Sequence, residues 1–477
     1  MLERTYVAHP LMMINIMKPF LFVLVLPVVK GVLQYFITGR ITGVLTLEIA
    51  AFAVVGVLSF LSFRSFKVVI DDKKLVIQKG FLIKSVAVIK KERLSCVSFE
   101  RGIFDLMFAS GTYKVNTEAG ASGKTDFSFK LRLNDAVEMS KFLYGEENRV
   151  AVRFNAFKSA IFAAATSSAI TGLLVGVPII NNSGKILGIA LSRILFDEIN
   201  RASARFDAYF PPIVNVITVT LIFGYALSFV IGFIRMLGFR LRIGEKKAEV
   251  EYGVISRRRV IFKKSAVNDV CIEQTPLMRA FGLFSMRAAV GGYGDKKGEK
   301  AIIVPAARRF RIKNQFRAYF PFLCPKAVPI RAERTKTNAL RALWPARFAA
   351  AIDICFTTAM SICFPSVLRF FVASGIVVMA VIVYYGNLCF LSYKTGKLCI
   401  SKSVSAFGFF GLTTRELYCD KQRIGEIKII RTPADRRYNT CKAEITVCSE
   451  SADKVKVRNI DYRKTLDFVR QEFGTDE

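Results

Sequence analysis

The chain has 477 residues, 52% of them hydrophobic, and a formal net charge of +33. Six long apolar segments in so hydrophobic a chain exclude an ordinary soluble protein. Nucleic acid is the usual partner of a basic chain. Here the basic excess (26 basic against 8 acidic residues over 235–347) lies beside apolar segments, where topology and anionic lipid account for it.

The chain repeats one plan three times: two apolar segments, then a basic stretch with strand-like alternation. Pro19–Phe36 and Gly43–Leu61 come first, Phe157–Ile180 and Pro212–Ile234 second, Arg347–Phe364 and Val367–Phe390 third. At about 1.5 Å per residue each spans roughly 27–36 Å as a helix, enough for a bilayer core. The pattern predicts six transmembrane helices in three hairpins, the first a retained helix and not a signal peptide. Because paired helices return the chain to one side, both termini and all three basic blocks share a compartment. The positive-inside bias makes that compartment the cytoplasm. The divisions are 1–63, 64–148, 149–236, 237–330, 331–391 and 392–477. The second hairpin carries an outer insert over 181–211, which reads as an amphipathic helix.

Each polar block opens as a meander. Phe66–Ile70, Asp71-Asp72-Lys73-Lys74, Leu75-Val76-Ile77 and Gly80 correspond to Phe239–Ile243, Gly244-Glu245-Lys246-Lys247, Ala248–Glu251 and Gly253. Lys397–Ile400 stands at the matching place in the third block. The second and third blocks share Thr-Pro-x-x-Arg at Thr275–Arg279 and Thr432–Arg436. Each block closes with one amphipathic helix, carrying Val137, Met139 and Phe142, then Ile312, Phe316 and Tyr319, then Tyr462, Leu466, Val469 and Phe473.

The runs Val69–Gly80 and Lys91–Ser98, with His9-Pro10-Leu11 ahead of the first helix, resemble the bacterial pleckstrin-homology-like (PH-like) membrane family. Its multi-domain members of the YdbT type repeat helix pairs, each followed by such a domain. The likeness is good in blocks one and two and partial in block three. It implies a fold class of membrane α plus β: three helical hairpins, each followed by a small antiparallel β-barrel or sandwich closed by a C-terminal helix. It implies little about activity.

Candidate binding residues cluster in block two. Arg257, Arg258, Arg259, Lys263, Lys264, Arg308, Arg309 and Arg311 form a candidate surface for anionic lipid or a partner. Each basic residue held near an anionic surface is worth roughly 1 kcal/mol. The turns at Lys73-Lys74 and Lys246-Lys247 read as solvated turns, although lipid-reading relatives of the superfold use that position. Lys30 and Glu48 lie at similar depth and form a candidate intramembrane ion pair. Small residues mark a packing stripe on the third helix (Ala160, Ala164, Ser168, Gly172, Gly176) and on the fourth (Gly224, Ser228, Gly232).

One histidine and ten scattered cysteines without a CxxC pair supply no metal set, and no nucleophile has an evident basic partner. The expectation is no cofactor and no catalysis. The reading is a scaffold or accessory protein of the bacterial cell membrane. Its partners are the bilayer, inner-leaflet anionic lipid and other membrane proteins, a smaller one-domain relative among them, and not nucleic acid. A transporter-like or lipid-handling role is the alternative, with Asp353 in the fifth helix as its best residue.

Overall fold

A computed structural model describes residues 4–18, 43–81, 83–117, 125–145, 150–177, 191–204, 211–294, 298–323, 329–332, 343–400, 403–410, 412–448 and 454–474. The first domain begins ahead of its helices. β1 (Arg4–Val7) leads through α1 (residues 11–18) and α2 (Gly43–Arg64) to β2 (Lys67–Ile70), with which it pairs antiparallel from Arg4↔Ile70 to Val7↔Lys67. β3 (Lys74–Lys79) and β4 (Ser85–Lys90) complete that sheet. A short 3-10 turn, Lys91–Arg93, then starts a second sheet. It consists of β5 (Leu94–Arg101), β6 (Ser110–Thr117) and β7 (Phe127–Arg132), with α3 (Ile103–Met107) between the first two strands. The closing helix α4 (Leu133–Tyr144) lays Ala136, Met139 and Leu143 into the core, beside Val68, Leu75, Tyr113 and Leu131.

The second domain repeats the plan. β8 (Val150–Arg153) precedes α5 (Ala156–Thr166), α6 (Ala169–Val177), α7 (Leu191–Ala204) and α8 (Pro212–Met236). β9 (Arg240–Ile243), β10 (Lys247–Tyr252) and β11 (Arg257–Lys263) follow. After a 3-10 turn come β12 (Val267–Gln274), α9 (Pro276–Ala280), β13 (Phe284–Val290), β14 (Ala301–Ala307) and α10 (Arg309–Phe316). In the third domain β15 (Ile330–Arg331) precedes α11 (Trp344–Cys363) and α12 (Leu368–Thr395). Then come β16 (Lys397–Ile400), β17 (Ser403–Phe410), β18 (Thr413–Asp420), β19 (Ile424–Ile430), α13 (Pro433–Arg437), β20 (Thr440–Val447), β21 (Lys454–Asp461) and α14 (Tyr462–Phe473). Ile312 and Phe316 are buried as their spacing predicts. In α14 Tyr462 and Val469 pack half-buried against the core as expected and Thr465 is fully buried, while Phe473 lies at the surface under the Lys421 ammonium, 5.0 Å from its ring centre.

The expected barrel closure does not occur: among the described residues no sheet closes on itself. Instead β5 pairs with β11 and β12 with β18, each across a domain boundary. The four sheets run β1-β2-β3-β4, β7-β6-β5-β11-β10-β9-β8, β14-β13-β12-β18-β17-β16-β15 and β19-β20-β21. Two seven-stranded sheets therefore cross the two domain boundaries. Closing onto a neighbour satisfies the same edge hydrogen bonds as closing onto oneself.

The expectation of six spanning helices is met only in part. The first segment, with Lys30, lies outside the described residues, and so does the side chain of Glu48. Val214–Met236, Trp344–Cys363 and Pro365–Leu391 are long and apolar enough to cross a membrane, and Ile49–Arg64 is a shorter apolar helix. The third expected span is not one straight helix. α5 and α6 meet at an angle of 92° at Ser167-Ser168. Three consecutive hydroxyl residues explain the break. Thr166 Oγ1 donates to the Phe162 carbonyl at 2.9 Å and Ser167 Oγ to that of Ala163 at 2.7 Å, while the Ser168 N–H turns away to Ser228 Oγ at 3.2 Å. Hydroxyls that take up helical carbonyls compete with the backbone ladder and favour a kink.

Across this bend the small residues meet. A Cβ on Gly172 would fall 1.7 Å from the Gly224 carbonyl oxygen, and one on Gly224 would fall 2.6 Å from that of Ala169. Tyr225 donates its hydroxyl to the Ala164 carbonyl at 2.8 Å. Of the outer insert, α7 is helical, and residues 181–190 and 205–210 lie outside the described set.

Candidate functional site

The two interdomain joints share one geometry. A 3-10 turn precedes each of β5, β12 and β19, so Leu94, Val267 and Ile424 are equivalent positions. In the first joint β5 pairs antiparallel with β11 from Arg101↔Arg257 to Cys96↔Phe262. In the second β12 pairs with β18 from Gln274↔Thr414 to Asp269↔Cys419. An ion pair recurs at one register. Glu100 faces Arg258 at 2.8 Å, and the equivalent Glu273 faces Arg415 at 3.0 Å. Arg258 also reaches Glu299 at 3.2 Å and lies 5.5 Å from the Tyr293 ring centre. The buried Glu416 carboxylate gathers Arg309, Lys313 at 3.5 Å and the Tyr418 hydroxyl at 2.9 Å. Neighbouring cores also share side chains across the joints: Cys96 and Tyr418 both pack into the core of the second domain. Burial pushes the Cys419 thiol up to about 12.

The first joint opens into a cleft of about 1090 Å³ at the β2–β3 and β9–β10 turns. Lys73, Lys74, Lys90 and Lys91 line it from the first domain, and Lys246, Lys247, Lys263 and Lys264 from the second. Among the described residues its acids are Asp72, Glu92 and Glu245. Several of these lysines brace the joint. Lys263 donates to the carbonyls of Lys91 at 2.9 Å and Glu92 at 2.6 Å, Lys91 to that of Phe142 at 2.7 Å, and Lys247 to those of Tyr144 and Gly145. Lys264 lies over the Tyr319 ring at 4.8 Å. Lys73, Lys74 and Lys90 are exposed. Among the described residues eight ammonium groups stand against three carboxylates, a balance that favours a multivalent anion.

The opposite end of each domain, where the helices enter, is apolar. Strands of 4 to 8 residues separate the two ends, roughly 13–26 Å at about 3.3 Å per residue. At the β3–β4 tip Phe81 and Ile83 are exposed, and at the β10–β11 tip Val254 and Ile255; the Gly253 N–H ties that second tip to the Leu237 carbonyl at the end of α8. The β5–β6 turn adds Ile103, Phe104, Met107 and Phe108, all exposed, with Phe104 at 75%. In the second domain the equivalent α9 packs against α5, and Phe281 meets Phe157 edge to face at 6.4 Å. Arg308, Arg311 and Lys158 surround that aromatic pair, lining a cavity of about 470 Å³.

The shared Thr-Pro-x-x-Arg motif builds these turns. Thr275 and Thr432 are N-caps, with proline in the first helical turn. In the first domain Asp105 does related work. Burial alone would raise its pKa, but Lys130, the Gly102 N–H and the Ser110 hydroxyl hold it below the usual carboxylate value.

The basic residues singled out from the sequence thus divide among three places. Arg258, Arg259 and Arg309 are held by carboxylates within or beside the joints, Arg259 by Glu249 at 2.6 Å. Lys263 and Lys264 line the cleft, and Arg308 and Arg311 stand at the helix-entry end. Arg257 is exposed opposite Arg101. The sequence reading did not find the joints. The recurrence of Glu100 and Glu273 at one distance from the 3-10 turn was the available signal.

The family pattern for the bacterial PH domain matches twice, over residues 20–147 and 187–319, more than half of the chain. The chain belongs to the bacterial PH domain family. No curated protein and no solved structure matches it. The two matches fall on the first and second units, each taking in part of the helical segment ahead of its strands. A bacterial PH domain is a module suited to protein or lipid interaction, and this chain carries at least two.

Proposed function

We propose that this protein is a membrane-anchored scaffold. Three PH-like domains, fused edge to edge, lie against the inner face of a bacterial cell membrane and act by binding, not by catalysis. The observation that carries the reading is the separation of chemistry along each strand. Exposed Phe, Ile, Met and Val side chains gather where the helices enter, and the lysine cleft opens at the other end. Apolar side chains over a basic collar suit the interface of an anionic leaflet. Lysines a strand length away lie beyond about one Debye length of 8 Å at physiological salt, so they serve a partner and not the lipid surface. An acidic segment of another membrane or envelope protein has the chemistry the cleft accepts.

Depth measurement tests this reading. The chain has a single tryptophan, Trp344. In a Trp344→Phe background, Phe104→Trp should be quenched by brominated acyl chains in reconstituted vesicles, and Lys74→Trp should not. Equal quenching at both positions, or none at Phe104→Trp, overturns the arrangement.

A further inference from the structure

The middle domain has both outer edges occupied: β11 pairs with β5 of the first domain, and β12 with β18 of the third. At the two ends of the row one edge of each kind is left over. β4 is the last strand of the four-stranded sheet and β19 the first of the three-stranded sheet, and among the described residues neither has a second neighbour. We propose that β4 of one copy pairs with β19 of another, a third joint that links copies of this chain head to tail.

Register and chemistry both favour it. Carrying over the alignment of the first joint puts Ile430 opposite Ser85, Ile429 opposite Val86 and Ile427 opposite Val88. Val86 and Val88 are 57% and 62% exposed, whereas Ile261, which holds the place of Val88 inside the first joint, is 3% exposed. Ile427 and Ile429 pack half-buried against the third domain's core, at the places that the buried Val97 and Phe99 hold in the first. β-Branched residues opposed on one face are a favourable cross-strand pairing. The recurrent ion pair is replaced on both sides at once: Ile430 stands where Glu100 and Glu273 stand, and Ser85 where Arg258 and Arg415 stand. The third joint therefore leaves neither half of that ion pair behind, while Glu426 and Lys428 take the places of Cys96 and Ser98. Uncovered strands rich in Val and Ile are templates for pairing, and proteins that leave them open guard them with proline or inward charge. β4 has no proline, and its one charge is Lys90 at its last position.

The same register sets the helix-entry ends of both copies side by side, so the copies share one membrane. Because the middle domain already holds two such joints, both edges of one domain can be filled together. A head-to-tail contact is heterologous and builds a ring or an open row.

Cross-linking in membranes tests the joint. The full chain with Cys355, Cys363 and Cys448 replaced by serine is made as two differently tagged variants, Ser85→Cys and Ile430→Cys, and the two are mixed. Paired strands bring Cα atoms about 4.5–5.5 Å apart, within disulfide reach. Oxidation should give a mixed dimer carrying both tags, and the double variant a ladder or one closed band. Adding Val86→Asp, an exposed position in the single chain, should cut the mixed dimer at least tenfold with the thermal transition unchanged. Monomers only, same-tag dimers only, or trapping of a different PH-like polypeptide at these positions overturns the proposal.

Discussion

β5 and β19 hold the same place in their domains and have opposite surroundings. Leu94–Phe99 is buried residue for residue, while no residue of Ile424–Ile430 is more than half-buried. The difference lies outside the domain: β5 has a neighbour's strand along its outer edge and β19, among the described residues, has none. Burial of a strand in this protein is thus decided by the next domain as much as by its own hydrophobic pattern.

The sharpest way to break the comparison is to place one charge at equivalent positions. Val97 is 1% exposed, so Val97→Asp buries an unpaired carboxylate and should destabilise by about 4 kcal/mol. Ile427→Asp on the edge strand should cost about 1 kcal/mol in the isolated chain. Urea unfolding in detergent reads both, and equal losses would mean that the joint adds nothing to burial. Next comes Gly172, whose added Cβ collides with the Gly224 carbonyl, against Gly56, which has open space around it. Gly172→Leu should cost about 3 kcal/mol and Gly56→Leu nothing measurable, checked by thermal unfolding of the reconstituted protein.

Neighbouring arginines in one run give a smaller contrast. The Arg258 side chain is 9% exposed between Glu100 and Glu299. Arg258→Ala should cost about 2 kcal/mol, since the two glutamates keep some solvent. Arg257→Ala at the surface should stay within about 0.5 kcal/mol. The least effect on stability comes from thiol labelling, which still separates joint from periphery. At pH 8 the Cys419 thiol, pushed up to about 12, should react with maleimide orders of magnitude more slowly than the exposed Cys448.

What the sequence discloses follows from what leaves a local mark. Apolar segments of bilayer length, the meander from Phe66 to Ile83 and the helix carrying Ile312 and Phe316 were legible because period and length encode them. The joints were not, because a backbone ladder is indifferent to side-chain type. Arg257-Arg258-Arg259 reads as a uniform basic run, yet alternation along β11 sends the middle residue inward to Glu100. The strand ahead of each helix pair escaped notice for another reason: Arg4–Val7 and Ile330–Arg331 are too short for a periodic signal. The bend after α5 was written in Thr166-Ser167-Ser168, but the small-residue stripe runs straight through it and suggests a continuous helix.

A sheet that crosses a domain boundary also changes how the row carries load. Where flexible linkers join domains, a tilt of one helix pair is dissipated in the linker. Here the first joint alone is a six-pair ladder from Arg101↔Arg257 to Cys96↔Phe262, reinforced by Arg258 and by Lys263 on the Lys91 and Glu92 carbonyls. A displacement of α8, which runs through Leu237 to β9 and so into the same sheet, is passed to β5 and the first domain as shear across that ladder. The three domains are then one beam, and a pull on α2, α8 or α12, each of which runs into a strand of its domain, is felt along its length.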